Sequence, residues 1–200
     1  MEIVRIEDYK KNRKLVYLEE DTPAFCLYSK EISQFGLKEG EELSEEVHGR
    51  IKELLSKRAR ERALYLLDDM ARTERQIRDR LKEGMYPDEA VEYAVAYCRR
   101  KHYIDDGDYA RRYITLKAGT YSKRMIEKEL LEKGIDRDTV SEALEELDVS
   151  EAETLRELIR KKYGDISDIS FEERQKIMRR FLSSGFSYDS VREAMDQATV

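Results

Sequence analysis

Placing Ile77, Ile126 and Ile177 in register exposes an internal repeat, with separations of 49 and 51 residues. A period of that length confines the chain to architectures in which one small supersecondary unit is used several times. Four residues on stand Leu81, Leu130 and Phe181. Fourteen on stand Val91, Val140 and Val191, followed by Ala94, Ala143 and Ala194, then Val95, Leu144 and Met195. Gly84, Gly134 and Gly185 fall near position eight, the first one residue early, where a helix end favours a left-handed residue. Each copy therefore reads as helix, glycine-ended turn, helix, and the second helix is apolar at i, i+3, i+4 and i+7. Those stripes run from Val91 to Cys98, from Val140 to Leu147 and from Val191 to Ala198.

A further helix precedes each pair, at Ala63–Met70, Tyr109–Leu116 and Leu155–Lys162. Hydroxyl residues open the middle helices. Thr73-Glu74-Arg75-Gln76 and Ser170-Phe171-Glu172-Glu173 have the capping-box form, and Ser122 supplies a hydroxyl without the box. The last helices open at Asp136 and Ser187, while the first copy has Pro87 there, which predicts a boundary shifted by a residue. Three units of three helices follow, each of about 50 residues. A unit so small leans on its neighbours, which predicts an elongated array.

The amino-terminal part follows a different period. Glu2–Asp8, Lys14–Glu20 and Ala24–Ser29 are short stretches rich in Val, Ile, Tyr and Phe, separated by Lys10-Lys11-Asn12-Arg13 and Asp21-Thr22-Pro23. They predict a meander of two or three strands that needs another surface to cover it. From Ser44 the apolar residues recur at three and four through Val47, Ile51, Leu54, Leu55, Ala59, Ala63, Leu66, Leu67 and Met70, as one long helix or two nearly collinear ones. The resulting division is 1–45 as a β segment, 46–106 as the first three-helix repeat with its long lead-in helix, 107–149 as the second and 150–200 as the third. The fold class is mainly α. Only 9 Gly and 2 Pro in 200 residues leave too little turn material for an all-β fold.

No apolar run approaches the ~20 residues of a membrane span. The acidic start Met1-Glu2-Ile3-Val4-Arg5-Ile6-Glu7-Asp8 is unlike a secretory signal, and two cysteines make no disulfide framework. A soluble, intracellular protein is expected. The net charge of −6 is unevenly distributed: residues 50–125 carry 19 Lys/Arg against 13 Asp/Glu, and residues 126–157 carry 4 against 12. Such a layout suits a partner of mixed charge, although the surfaces of ordinary soluble helices are also rich in both signs.

No constellation for catalysis, no phosphate-cradling glycine loop and no dinucleotide fingerprint occurs, so no enzyme activity and no cofactor is expected. Cys98 and His102 stand four apart, but two ligands do not close a zinc site, and Cys98 occupies a core position of the repeat. Asp105-Asp106-Gly107-Asp108 lacks the ligands of a calcium loop and reads instead as the cap of the helix near Tyr109. The basic residues are the remaining candidates. Lys57, Arg58, Arg60 and Arg62 precede the first repeat. Arg72, Arg75, Arg78 and Arg80 run through its middle helix, and Arg99, Arg100, Lys101, Arg111, Arg112, Lys117, Lys123 and Arg124 follow. Tyr65, Tyr86, Tyr93, Tyr97, Tyr103, Tyr109, Tyr113 and Tyr121 are interleaved with them. Basic stripes bind phosphates without reading bases. Tyrosines stack on single strands or pack at core boundaries, and packing is expected for most of these.

Several of these segments together resemble the RecX family of bacterial regulatory proteins, modulators of the recombinase RecA. They are Ala63-Leu64-Tyr65-Leu66-Leu67, Arg72 through Leu81, Tyr103-Ile104-Asp105-Asp106 with Tyr109-Ala110, and Lys123-Arg124-Met125-Ile126 through Leu130 to Gly134-Ile135. The resemblance runs over roughly residues 60–198, more loosely in the last repeat. It implies tandem three-helix units in a curved, elongated array. It also implies a cytoplasmic, non-enzymatic protein that binds the RecA–DNA filament along its groove and inhibits recombinase, ATPase and co-protease activity, within DNA repair, recombination and the SOS response. The protein is expected to act as a monomer, with no cofactor, metal or membrane. Arg72, Arg75, Arg78, Lys123 and Arg124 are the expected contacts to the filament or its DNA. A helical protein acting on DNA directly, and a helical scaffold for some other partner, are the alternatives.

Overall fold

The repeat is built on three copies of one helix-ending hydrogen bond. Tyr86 N–H donates to the Leu81 carbonyl, Ile135 N–H to Leu130 and Phe186 N–H to Phe181, at 3.3, 3.2 and 3.2 Å. In each copy the residue just before the donor is left-handed, with φ of 62° at Met85, 88° at Gly134 and 92° at Gly185. This is the Schellman closure of a helix, which satisfies carbonyls that the helix itself leaves unpaired.

A computed structural model of the chain describes residues 1–146 and 150–197. Leu147 and Ala198, expected to complete two of the apolar stripes, lie outside the described residues, as do the ends at 149 and 200 drawn for the second and third repeats. The elements in order are β1 (Arg5–Tyr9), β2 (Arg13–Tyr17), β3 (Pro23–Tyr28), α1 (Ser29–Phe35), α2 (Glu45–Asp69), α3 (Glu74–Glu83), α4 (Asp88–Arg100), α5 (Asp106–Lys117), α6 (Lys123–Glu132), α7 (Arg137–Glu145), α8 (Glu151–Tyr163), α9 (Phe171–Ser183) and α10 (Tyr188–Gln197). They form two compact units, Met1–Ile104 and Asp105–Val200.

In the first unit the strands pair antiparallel in the order β1-β2-β3, with Lys11 and Asn12 both left-handed in the first turn. One face of the sheet presents Val16, Phe25 and Leu27. These join a single core with Ile51, Leu55, Ala59 and Ala63 of α2 and with Ile77, Leu81, Val91, Ala94, Val95 and Cys98 of α3 and α4. The sheet therefore docks on the first repeat, and α2 is one uninterrupted helix of 25 residues that serves both. Ser44 caps it by accepting from Val47 N–H at 3.3 Å. The short helix α1, where the alternating pattern of the strands gives no helical period, is an addition to the expected elements.

The other face of the sheet holds a smaller cluster of Leu15, Tyr17 and Cys26, covered by Tyr9 and Met85. This explains why the first copy departs from the glycine rule. Gly84 is right-handed, and the left-handed slot belongs to Met85, so all three copies keep the same register at position eight. A left-handed methionine costs about 1–2 kcal/mol, which the packing of its thioether on the sheet offsets. Gly84 must stay small for another reason, since a Cβ there would meet the Tyr86 ring at 2.9 Å. Its carbonyl accepts from Arg13 of β2 at 2.5 Å, a second tie between sheet and repeat.

The second unit has two cores. Ala110, Ile114, Ile126, Leu130, Ile135, Val140 and Ala143 fill the α5–α7 triplet, and Leu155, Ile159, Ile166, Ile177, Met178, Phe181, Phe186, Val191, Ala194 and Met195 fill the α8–α10 triplet. The cap residues act as expected: Thr73 and Ser170 form capping boxes, and Ser122 caps Met125 N–H at 3.2 Å. Pro87 takes the same cap position as Asp136 and Ser187, with no shift of register. Ser122 has a second task. Its N–H donates to the Ser184 carbonyl at 3.0 Å, in the turn between α9 and α10. Gly185 lies so close that a Cβ would stand 2.5 Å from Ser122 Oγ and 2.8 Å from Met125 Cβ.

Gly185→Ala meets both a left-handed backbone and an occupied space, and is expected to destabilise the chain by about 2 kcal/mol or more in urea denaturation. Gly49→Ala, inside α2 with nothing within 4 Å, is expected to stabilise it by about 0.5–1 kcal/mol. Half-buried His48 stacks on Phe25 at 6.3 Å, and burial, then the nearby Lys52 charge, push its pKa below the ordinary 6.5. The fold favours the neutral ring, so its contribution is full above the ordinary value and drains away as pH falls below it. The melting-temperature gap between the wild type and His48→Gln is therefore expected to narrow from about pH 7 to about pH 5.

Candidate contact surface

The five expected contact residues divide by what already holds them. Arg72 is mostly covered, its side chain 16% exposed. Its Nε donates to the Leu66 carbonyl at 3.1 Å, which closes the carboxyl end of α2. Arg78, 26% exposed, donates to Glu74 one turn back at 2.9 Å and grips both carboxylate oxygens of Glu92 on α4. These bonds hold its guanidinium even more firmly in the charged form, Glu92 contributing most. Arg75 points outward at 62% exposure, with only Asp79 at 4.0 Å. In the second unit Lys123 and Arg124 form the first turn of α6, Lys123 half-buried and Arg124 exposed.

Pairing is general on α3. Each of its basic residues, Arg75, Arg78, Arg80 and Lys82, has a carboxylate within 4 Å. What looks like a basic stripe in the sequence is in large part an ion-pair lattice, with Arg99 of α4 also on Glu74 at 3.5 Å.

On α2 and α4 several of the interleaved basic and tyrosine residues meet. Tyr97 has Arg60 over its ring at 5.2 Å and Arg100 at 5.8 Å, and Arg62 stands over Tyr65 at 5.2 Å. Such cation–ring contacts are worth about 0.5–1 kcal/mol at exposed sites. Tyr93, Tyr97 and Arg100 repeat at four and three along α4, so the signal was the helical spacing of Tyr with Arg. Tyr65, Tyr93 and Tyr103 are exposed, whereas Tyr86 and Tyr97 pack on the first core and Tyr109, Tyr113 and Tyr121 on the second unit's α5–α7 core. Packing is thus the use of most of the eight. Tyr113 donates to Glu129 at 2.5 Å, and burial followed by that carboxylate raises its pKa. Lys117 stands over the rings of both Tyr113 and Tyr121, at 5.5 and 4.6 Å.

The other candidates resolve into structure. Cys98 is fully buried and its thiol pKa is raised by burial, while His102 is exposed on a left-handed backbone. Asp105 caps α5 by accepting from Asp108 N–H at 2.8 Å, and the helix begins at Asp106, three residues before Tyr109. Among the described residues no three acidic, histidine or cysteine side chains gather as a metal site, and no helix is long and apolar enough to cross a membrane.

Comparison with known proteins matches three successive family models: the RecX first three-helix domain at residues 59–98, the second at 105–144 and the third at 150–195. The regulatory protein RecX of Clostridium botulinum (strain Eklund 17B / Type B) is 28% identical, over 98% of this chain and 95% of that protein. That of Caldanaerobacter subterraneus subsp. tengcongensis is 28% identical, over 98% and 99%. Among solved structures, a regulatory protein RecX aligns over 98% of both chains with a TM-score of 0.60 and 28% identity. RecX from Lactobacillus salivarius shares the fold over 72% of this chain and 96% of its own, with a TM-score of 0.56 and 24% identity.

The different tasks of the arginines make a direct test. Arg78→Ala leaves Glu74 and Glu92 without their shared partner and is expected to cost about 1 kcal/mol in chemical denaturation. Arg75→Ala is expected to change stability by less than about 0.5 kcal/mol.

Proposed function

Because the chain belongs to the RecX family of regulatory proteins, we propose that it binds the RecA–DNA filament and inhibits RecA's recombinase, ATPase and co-protease activities, by contact and without chemistry of its own. The observation that carries this reading is the run of three RecX three-helix domains in order along one chain. Three similar units in tandem suit a helical polymer, which offers the same surface at every subunit. The site of action is the bacterial cytoplasm, in recombinational repair and the SOS response, and the protein acts as a monomer.

Within the expected contact set, Arg75 and Arg124 reach the filament. Arg72 and Arg78 shape the surface from beneath, and Lys123 stands beside Arg124 at the start of α6. Contacts of this kind are electrostatic, so they weaken with added salt.

The test is DNA-dependent ATP hydrolysis by RecA from the same bacterium, titrated with this protein. Inhibition at fewer molecules than RecA subunits is expected, and Arg75→Glu with Arg124→Glu is expected to raise the amount needed severalfold while helix content by circular dichroism stays unchanged. Hydrolysis unaffected at any ratio would overturn the reading. Tight binding to bare DNA would then favour a protein acting on nucleic acid directly, and silence in both assays a scaffold for another partner.

A further inference from the structure

The three repeats share a register outside the core as well as within it. Two residues before the framework isoleucines Ile77, Ile126 and Ile177 stand Arg75, Arg124 and Gln175, all exposed. In the first two copies the same local structure fixes this position. Helices α3 and α6 are both ten residues long, and each is opened by a buried hydroxyl, Thr73 or Ser122. Each hydroxyl accepts from the N–H three residues on, that of Gln76 at 3.3 Å and that of Met125 at 3.2 Å. Arg75 and Arg124 are therefore each the second residue of their helix, 49 residues apart in the chain.

A helix presents the positive end of its dipole at its first turn, so a cation there is disfavoured. Local electrostatics thus oppose both arginines. Arg75 has Glu74 beside it and Asp79 one turn on, at 4.0 Å. Helix α6 has no acid in its first turn, and among the described residues no carboxylate oxygen lies within 4 Å of Arg124. The third repeat has the ordinary arrangement. Helix α9 begins three residues earlier in the register, carries Glu172 and Glu173 in its first turn, and has uncharged Gln175 at the shared position. A local rule broken in the same way at two equivalent sites has its reason outside the fold.

The spacing also selects what is bound. A DNA strand repeats its charge every ~3.4 Å, so any exposed cation finds a phosphate whatever its place in a repeat. One arginine per three-helix unit, at a fixed register, matches instead a group that a polymer offers once per subunit. A side-chain carboxylate is such a group, and the planar guanidinium fork fits it. We propose that Arg75 and Arg124 are equivalent contacts, each taking one surface carboxylate of a RecA subunit, and that the third repeat lacks this contact because Gln175 stands in its place. This rests on the reading of the protein as a regulator that binds the RecA filament, and it names the group bound.

The experiment titrates DNA-dependent ATP hydrolysis by RecA with wild type, Arg75→Gln, Arg124→Gln, their double variant, Gln175→Arg and Ser183→Arg, all of matched helix content by circular dichroism. Ser183 is exposed on the same helix as Gln175, about two turns on, and controls for added charge alone. Each Arg→Gln change is expected to raise the half-inhibiting concentration about two- to fivefold, and the double variant to raise it by the product. Gln175→Arg is expected to lower it by a similar factor, and Ser183→Arg to shift it by less than about 1.5-fold. Equal gains from Gln175→Arg and Ser183→Arg, or a loss at only one of the two arginines, would overturn the proposal. Anisotropy of a labelled thymidine oligonucleotide is measured on the same preparations. If the Arg→Gln variants weaken strand binding by the same factors, the arginines meet phosphate and the carboxylate assignment is wrong. A wild type that leaves RecA untouched overturns the regulatory reading and the proposal together, whereas inhibition that ignores the register overturns the proposal alone.

Discussion

A three-helix unit of about 50 residues encloses little interior and is marginal alone, and this shortage bears on the arrangement of the chain. The first triplet solves it through α2. That helix extends 25 residues, so that one apolar stripe serves the α3–α4 pair at one end and the strands at the other. The sheet in turn cannot stand by itself. Its inner face is completed by α2 and its outer face by Met85, from the turn of the repeat it supports. The α8–α10 triplet uses a hydrogen bond: Ser122 N–H reaches across to the Ser184 carbonyl while its hydroxyl caps its own helix. Both groups of one fully buried serine are satisfied, as burial of polar atoms demands.

This dependence explains why the small residues stand where they do. Gly185 is required twice over, by a left-handed backbone and by the approach of Ser122 and Met125. In the first copy the same left-handed slot holds Met85, because there the slot faces a sheet, and a long apolar side chain gains more there than the backbone loses. The repeat is thus conserved in backbone geometry and not in residue type at this position.

Much of this was legible in the sequence. The apolar register, the nine repeat helices and their caps at Thr73, Ser122, Asp136 and Ser170 all rest on local spacing, which periodicity and capping chemistry report directly. The left-handed residue of the first turn was read one position early, since glycine is the usual mark of that conformation and Met85 carries its reason in a distant strand. Helix α1 was missed for a related cause: seven residues after a strand are too few to establish a period. For the contact residues, Arg78 with Glu74 is a four-apart pair visible in the sequence, but its grip on Glu92, 14 residues away, exists only once α3 and α4 are folded together.

Charge counting therefore misplaces binding surfaces in a chain as rich in both signs as this one. Residues 50–125 carry the larger excess of cations, yet on α3 those cations are matched by carboxylates, and Arg60, Arg62 and Arg100 of α2 and α4 lie over tyrosine rings. Residues 158–200 are nearly neutral by count, yet among the described residues no carboxylate oxygen lies within 4 Å of Arg179 or Arg180 on α9. An ion pair must be broken before its cation can meet an outside anion, whereas an unpaired exposed cation gives up only water and counterions. The potential that an approaching anion meets follows the cations left over after folding, and those are set by tertiary pairing.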